Sequence, residues 1–218
     1  SWMGIVIANP AGPVTINGAY TLTLGSAGIT MVSATNNLTI GTSIALGAAQ
    51  TWTVGAPRYL VVNGVISGAT SLIMDGSGTV VLDGVNTYTG TTMVNGGTLA
   101  GTGTLSGSVT VNGGATLSPG DTGIGIFSTG DLTFSAGSVL KIDINGAVTP
   151  GVQHDQVSVS GALTITGNAL QIKLGYSPTP GQSITIIAND VSDAVAGTFS
   201  GLAEGDTLSA VFDDVEYD

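Results

Sequence analysis

Charge is what this sequence lacks most. Only 8% of its 218 residues are charged, against about 25% in an ordinary domain. The three cations, Arg58, Lys141 and Lys173, stand far apart. Phosphate neutralisation needs clustered Lys and Arg, so nucleic acid is excluded as an expected partner. A net charge of −11 disfavours anionic membrane surfaces for the same reason. There is no cysteine, which excludes a disulfide scaffold and a thiolate metal site. No apolar run is long enough for a transmembrane helix, so no membrane insertion is expected. Aromatic residues, 5% and scattered, do not supply the girdles of a membrane β-barrel. Helix signals are nearly missing too; the best non-β stretch is Asn189–Gly197, NDVSDAVAG. The opening Ser-Trp-Met-Gly-Ile-Val has no basic or long apolar leader pattern. A leader already removed, or a piece of a longer chain, is the expectation.

What is present is glycine and short β-forming runs. Glycine supplies 35 residues and mean hydropathy is +0.45, which argues against intrinsic disorder. Thr, Ser and Asn provide polarity without charge. Runs such as Val14–Ile16, Leu38–Ile40 and Val109–Val111 are bounded by Gly, Asn, Asp or Ser. Many alternate. Leu140, Ile142 and Ile144 point one way and Lys141 and Asp143 the other; Leu170, Ile172 and Leu174 oppose Gln171 and Lys173. Both lysines read as solvent-facing.

The runs repeat. Val14-Thr15-Ile16-Asn17-Gly18 is echoed by Met93–Gly97, Val109–Gly114, Leu132–Gly137 and Leu163–Gly167. Leu99, Leu117 and Leu140 close three copies at spacings of 18 and 23 residues. A strand-and-turn period near 20, without helices, predicts an all-β solenoid whose coils each hold two or three strands. An antiparallel sandwich is the alternative. Glycine would form the corners, Val, Ile and Leu the interior, and Thr the outside. Charges are scarce because stacked like charges repel. A single domain over 1–218 is expected, with 140–218 as terminal rungs or a cap.

Few side chains suggest chemistry. His154, the sole histidine, sits beside Asp155 in a loop-like stretch, but adjacency does not make a triad. Asp75 with Asp83, and Asp121 with Asp131, could serve a glycosidase only if stacking brought two carboxylates into one cleft. Lyase chemistry would add a base, and Arg58, Lys141 and Lys173 are isolated. For calcium, no Gly-Gly-x-Gly-x-Asp repeat or EF-hand loop occurs; Asp213, Asp214, Glu216 and Asp218 form an acidic tail, read as flexible, where weak binding is the alternative. The Thr-x-Thr pairs at 21/23, 51/53, 87/89, 102/104 and 164/166 are spaced too irregularly for a lattice-matched, ice-ordering face. Trp2, Trp52 and Tyr88 could stack on sugars, but packing within rungs is the plainer role.

One stretch resembles a known family. Gly76-Ser77-Gly78-Thr79, Leu82, Asn86-Thr87-Tyr88-Thr89-Gly90 and Asn95-Gly96-Gly97-Thr98-Leu99 together resemble the autotransporter-associated β-strand repeat, also called the passenger-associated transport repeat. The resemblance implies a right-handed parallel β-helix within a secreted or surface-displayed bacterial protein, as its stem or passenger. It implies no catalytic, cofactor-binding or metal-binding residue. Neighbouring repeats, a second copy of the chain, or a surface polysaccharide are the expected partners. The expected function is a structural display stem whose self-templated folding assists export. A carbohydrate-binding or carbohydrate-cleaving β-helix and a self-associating surface fibre or adhesin are the alternatives.

Overall fold

The computed structural model describes residues 1–120, 123–190, 192–193, 195–203, 205–206, 210–212 and 215–217, the last two segments as backbone only. The described residues form strands, turns and bends, with no helix. Short strands are what this sequence permits: two to six residues, mostly β-branched or leucine, then a glycine or Asx corner; only Leu22–Met31, ten residues that cross from one face to the next, is longer among the described strands.

The strands collect into parallel sheets of eleven, eight and five members. In chain order the strands visit three faces cyclically. One face holds the eight strands from Val14–Ile16 to Ala169–Leu174, and is called sheet 1. Sheet 2 runs from residues 29–31 through Gln50–Val54, Leu72–Gly76, Thr92–Val94, Val109–Val111, Leu132–Phe134 and Leu163–Thr166 to Val195–Thr198. Sheet 3 starts with residues 22–24, Ile44–Leu46 and Ile66–Ser67, and continues from Val85–Asn86 to Ile187–Asn189. Each pass through sheets 1, 3 and 2 is one rung of a parallel β-solenoid. Every pair of neighbouring strands along these faces is parallel, which overturns the sandwich alternative.

Register follows the inward column of sheet 1. Val14, Leu38, Leu60, Val80, Leu99, Leu117, Leu140 and Leu170 lie directly above one another, at steps of 24, 22, 20, 19, 18, 23 and 30 residues. The leucine spacing read from sequence is thus the rung spacing. Leu99, Leu117 and Leu140 are fully buried; each contributes about 1.5–3 kcal/mol by leaving water. On sheet 2, Val94, Val111, Phe134 and Ile165 stack in the same way. These four come from four of the five echoed segments. The first echo, Val14–Ile16, lies on sheet 1 instead, because a Val-Thr-Ile pattern suits any face with one side buried. The stretch Asn189–Gly197, the best non-β candidate, contributes to two strands, Ile187–Asn189 and Val195–Thr198.

Outside, Thr110, Thr133 and Thr164 form one column. Beside it Asn112 donates to Asn95 Oδ1 at 2.7 Å, and Ser135 donates to Asn112 Oδ1 at 3.2 Å. Uncharged polar groups can stack and bond at this spacing; carboxylates could not. Parallel pairing continues through Val139–Ile144, Ala169–Leu174, Leu163–Thr166 and Val195–Thr198, whereas Ala210–Phe212 and Val215–Tyr217 pair antiparallel with each other.

Candidate functional site

The Asn-Thr-Tyr-Thr-Gly stretch turns the chain from sheet 3 to sheet 2. It falls where the ladder of sheet 3 is interrupted, between Ile66–Ser67 and Val85–Asn86. The buried Asn86 side chain bridges the gap. Its Oδ1 accepts the Ile66 N–H at 2.9 Å and its Nδ2 donates to the Gly84 carbonyl at 2.8 Å. The Thr87 N–H then donates to the Ile66 carbonyl at 2.8 Å. Buried backbone groups must be paired, and here a side chain supplies the missing acceptor. Tyr88 packs inside the coil with its hydroxyl 2.5 Å from Thr92 Oγ1. Burial pushes its phenol up to about 12, and the Thr92 hydrogen bond pulls it partly back. Tyr88 is therefore a packing residue, as its motif suggested. The sequence shows Asn86 only as part of the repeat; its bonding role depends on what lies one rung below.

Trp52 is likewise fully buried, with its indole N–H donating to Gln50 Oε1 at 2.8 Å. Trp2 is 52% exposed, and borders a shallow cavity with Met3, Leu24 and Gly47 at the first coil.

The carboxylates are distributed over different faces and corners. Asp75 lies on sheet 2 and accepts the Gly76 N–H at 2.7 Å. Asp83 lies at the corner between sheets 1 and 3 and accepts the Thr102 N–H at 2.9 Å and its hydroxyl at 3.2 Å. Asp131, before a sheet 2 strand, accepts the Ala162 N–H at 2.9 Å. Asp83 and Asp131 thus tie their corners to the following rung, and Asp75 bonds only the amide that follows it. Asp121, Asp213, Asp214 and Asp218 lie outside the described residues, and Glu216 is described as backbone only. Among the described residues no three His, Asp or Glu side chains group as metal ligands.

His154 and Asp155 are buried, at 2% and 1% exposure. They close the corner loop of residues 145–155. Asp155 accepts the Gly125 N–H through one oxygen and the Asp143 N–H through the other, both at 2.8 Å. It thereby joins this loop to the one in the rung below. Burial pushes its carboxyl up to about 6; the two amide bonds and Lys141 oppose that shift, and Asp143 adds to it. His154 Nδ1 lies 3.2 Å from the Gly146 carbonyl. The two side chains serve the loop separately, and no Ser–His–Asp relay forms through them among the described residues.

Lys141 and Lys173 are exposed, as the alternation predicts. Lys173 lies 3.7 Å from Asp143. Arg58 donates from Nε to the Ala34 carbonyl at 3.2 Å. The Thr-x-Thr pairs do not stack on one another: Thr23 faces Ala45, Thr51 faces Ile73 and Thr104 faces Ser128, while Thr53 meets Thr30 and Thr164 meets Thr133 singly.

A family model described as the passenger-associated-transport-repeat matches residues 72–100. That segment begins at Leu72 on sheet 2 and ends at Ala100 on sheet 1, so it stacks on itself: Leu72 pairs with Thr92 and Val80 with Leu99. No curated protein and no solved structure matches the chain.

Proposed function

Because the chain carries a passenger-associated transport repeat at residues 72–100, we propose that it is a structural stem of a secreted or cell-surface bacterial protein. The observation that carries this reading is the use made of the repeat. Its asparagine, tyrosine and Thr92 are consumed in joining one rung to the next and in filling the interior. Each finished rung presents open backbone groups to the following one, so the coil grows by addition to its edge. No energy source is needed for that growth, and it suits folding outside the cell during export. The work is mechanical, not catalytic. In support, Asp83, Asp131 and Asp155 each bind a backbone amide of a neighbouring rung, and Asp75 binds the amide that follows it.

The test is display. The chain, fused between an export signal and an outer-membrane translocator, is expected to reach the surface of intact cells and be cut there by added protease. Asn86→Leu leaves the buried Ile66 N–H unpaired, a cost of about 1–3 kcal/mol. It is expected to lower refolding yield from denaturant, followed by far-ultraviolet circular dichroism, and surface yield with it. A wild-type chain that stays inside, or a variant displayed as well as wild type, overturns the proposal.

A further inference from the structure

We propose that the outer surface of sheet 1 binds a linear, carboxylate-bearing polysaccharide lying along the coil axis. This goes beyond a stem role and does not depend on it. A trench of about 210 Å³ runs across successive rungs there. Thr79, Thr98 and Thr116 stack in register along one side, with Tyr59 stacked before Thr79. Ala100 and Ser118 stack along the other, with Lys141 at the far end. Tyr59 to Lys141 crosses five consecutive rungs, four steps of about 4.8 Å or roughly 19 Å in all.

The groups fit an extended sugar chain. None of the four hydroxyls of Thr79, Thr98, Thr116 and Ser118 bonds within the described residues, whereas the corner hydroxyls of Ser67, Ser106 and Ser160 bind backbone carbonyls. The small side chain of Ala100 leaves the trench open at its middle. Tyr59, 38% exposed, places an aromatic side chain at one end. No carboxylate lines the trench. The next outward residue on the Lys141 strand is Asp143, which is engaged by Lys173 at 3.7 Å. Lys141 also lies in the field of Asp155, but both of that buried carboxylate's oxygens are taken by amides. Among the described residues Lys141 forms no ion pair, and it is the single cation facing the trench. A chain of hydroxyls with one aromatic and one unpaired ammonium suits uronic acid units: ring hydroxyls along the Thr ladder, a ring on Tyr59, and a carboxylate on Lys141.

The experiment is calorimetric titration of the full chain with hexagalacturonate, and with cellohexaose as the uncharged comparison. Hexagalacturonate is expected to bind, more weakly as salt rises. Lys141→Gln is expected to weaken it about tenfold, the loss of one charge-assisted bond. Tyr59→Ala is expected to weaken both sugars, and Thr133→Val, on the outer face of sheet 2, to change neither. The substituted side chains are at the surface, and circular dichroism confirms that each variant is folded. No heat with wild type at millimolar sugar, an unchanged Kd for K141Q, or cellohexaose binding as tightly as hexagalacturonate overturns the proposal.

Discussion

A single side chain decides how the corner loop at 145–155 responds to pH. Asp155 bonds amides from two rungs while buried, and its carboxyl is pushed up to about 6 from an ordinary 3.8. A carboxyl raised in the folded state contributes stability that is fully present below its unfolded value. That contribution is lost as pH rises through about 6. Two units correspond to at most about 3 kcal/mol. Chemical denaturation of wild type and Asp155→Asn at pH 4 and pH 7 checks this. Wild type is expected to gain on the variant at the acid end; a constant difference between the two would show that Asp155 does not titrate in this range. The adjacency of His154 and Asp155 was plain in the sequence. That the aspartate reaches Gly125, thirty residues back, was not, because that contact exists only once rungs stack.

At the scale of strands and corners, glycine does two separable jobs. Gly101 has φ +122°, and a Cβ there would overlap the Leu82 carbonyl in the rung below. Gly114 has φ +87° with open space around it. Gly114→Ala therefore suffers only backbone strain, about 1 kcal/mol. Gly101→Ala suffers strain and collision, and is expected to cost more than about 2 kcal/mol. Thermal melts of the two variants test the order; equal losses would mean that rungs yield at their corners. Strand positions and the inward column were legible in the sequence, since alternation and leucine spacing report directly on a buried face. Face assignment was less so. Val14–Ile16 repeats the pattern of Val109–Val111 yet sits on sheet 1 rather than sheet 2.

For the whole molecule, a parallel coil turns position in sequence into position along an axis. All fourteen acidic residues lie at or beyond Asp75, eight of them at or beyond Asp190, while residues 1–74 carry only Arg58 as a charged side chain. The two ends of the coil therefore differ in self-repulsion. End rungs also have a neighbour on one side only. Hydrogen exchange read by mass spectrometry is expected to be slowest in peptides from residues 72–134. Exchange should be fastest toward either end. Salt should slow exchange beyond residue 160 more than before residue 74, because screening relieves repulsion only where like charges gather. An equal response at both ends would separate stability from this axial charge.

Composition, alternation and the spacing of like residues determined by themselves that the chain is built of β-strands, coiled and lightly charged outside, and its resemblance to a known repeat marked Asn86–Gly90 as a turn. These are local signals, carried by residues a few positions apart. Only the tertiary structure decided which groups meet across rungs: Asn86 with Ile66, Asp155 with Gly125, and Tyr59, Thr98 and Lys141 along one trench. Asn86 and Ile66 lie 20 residues apart, Asp155 and Gly125 30, and the trench residues sit several rungs from one another, at steps that vary from coil to coil, so stacking alone selects them.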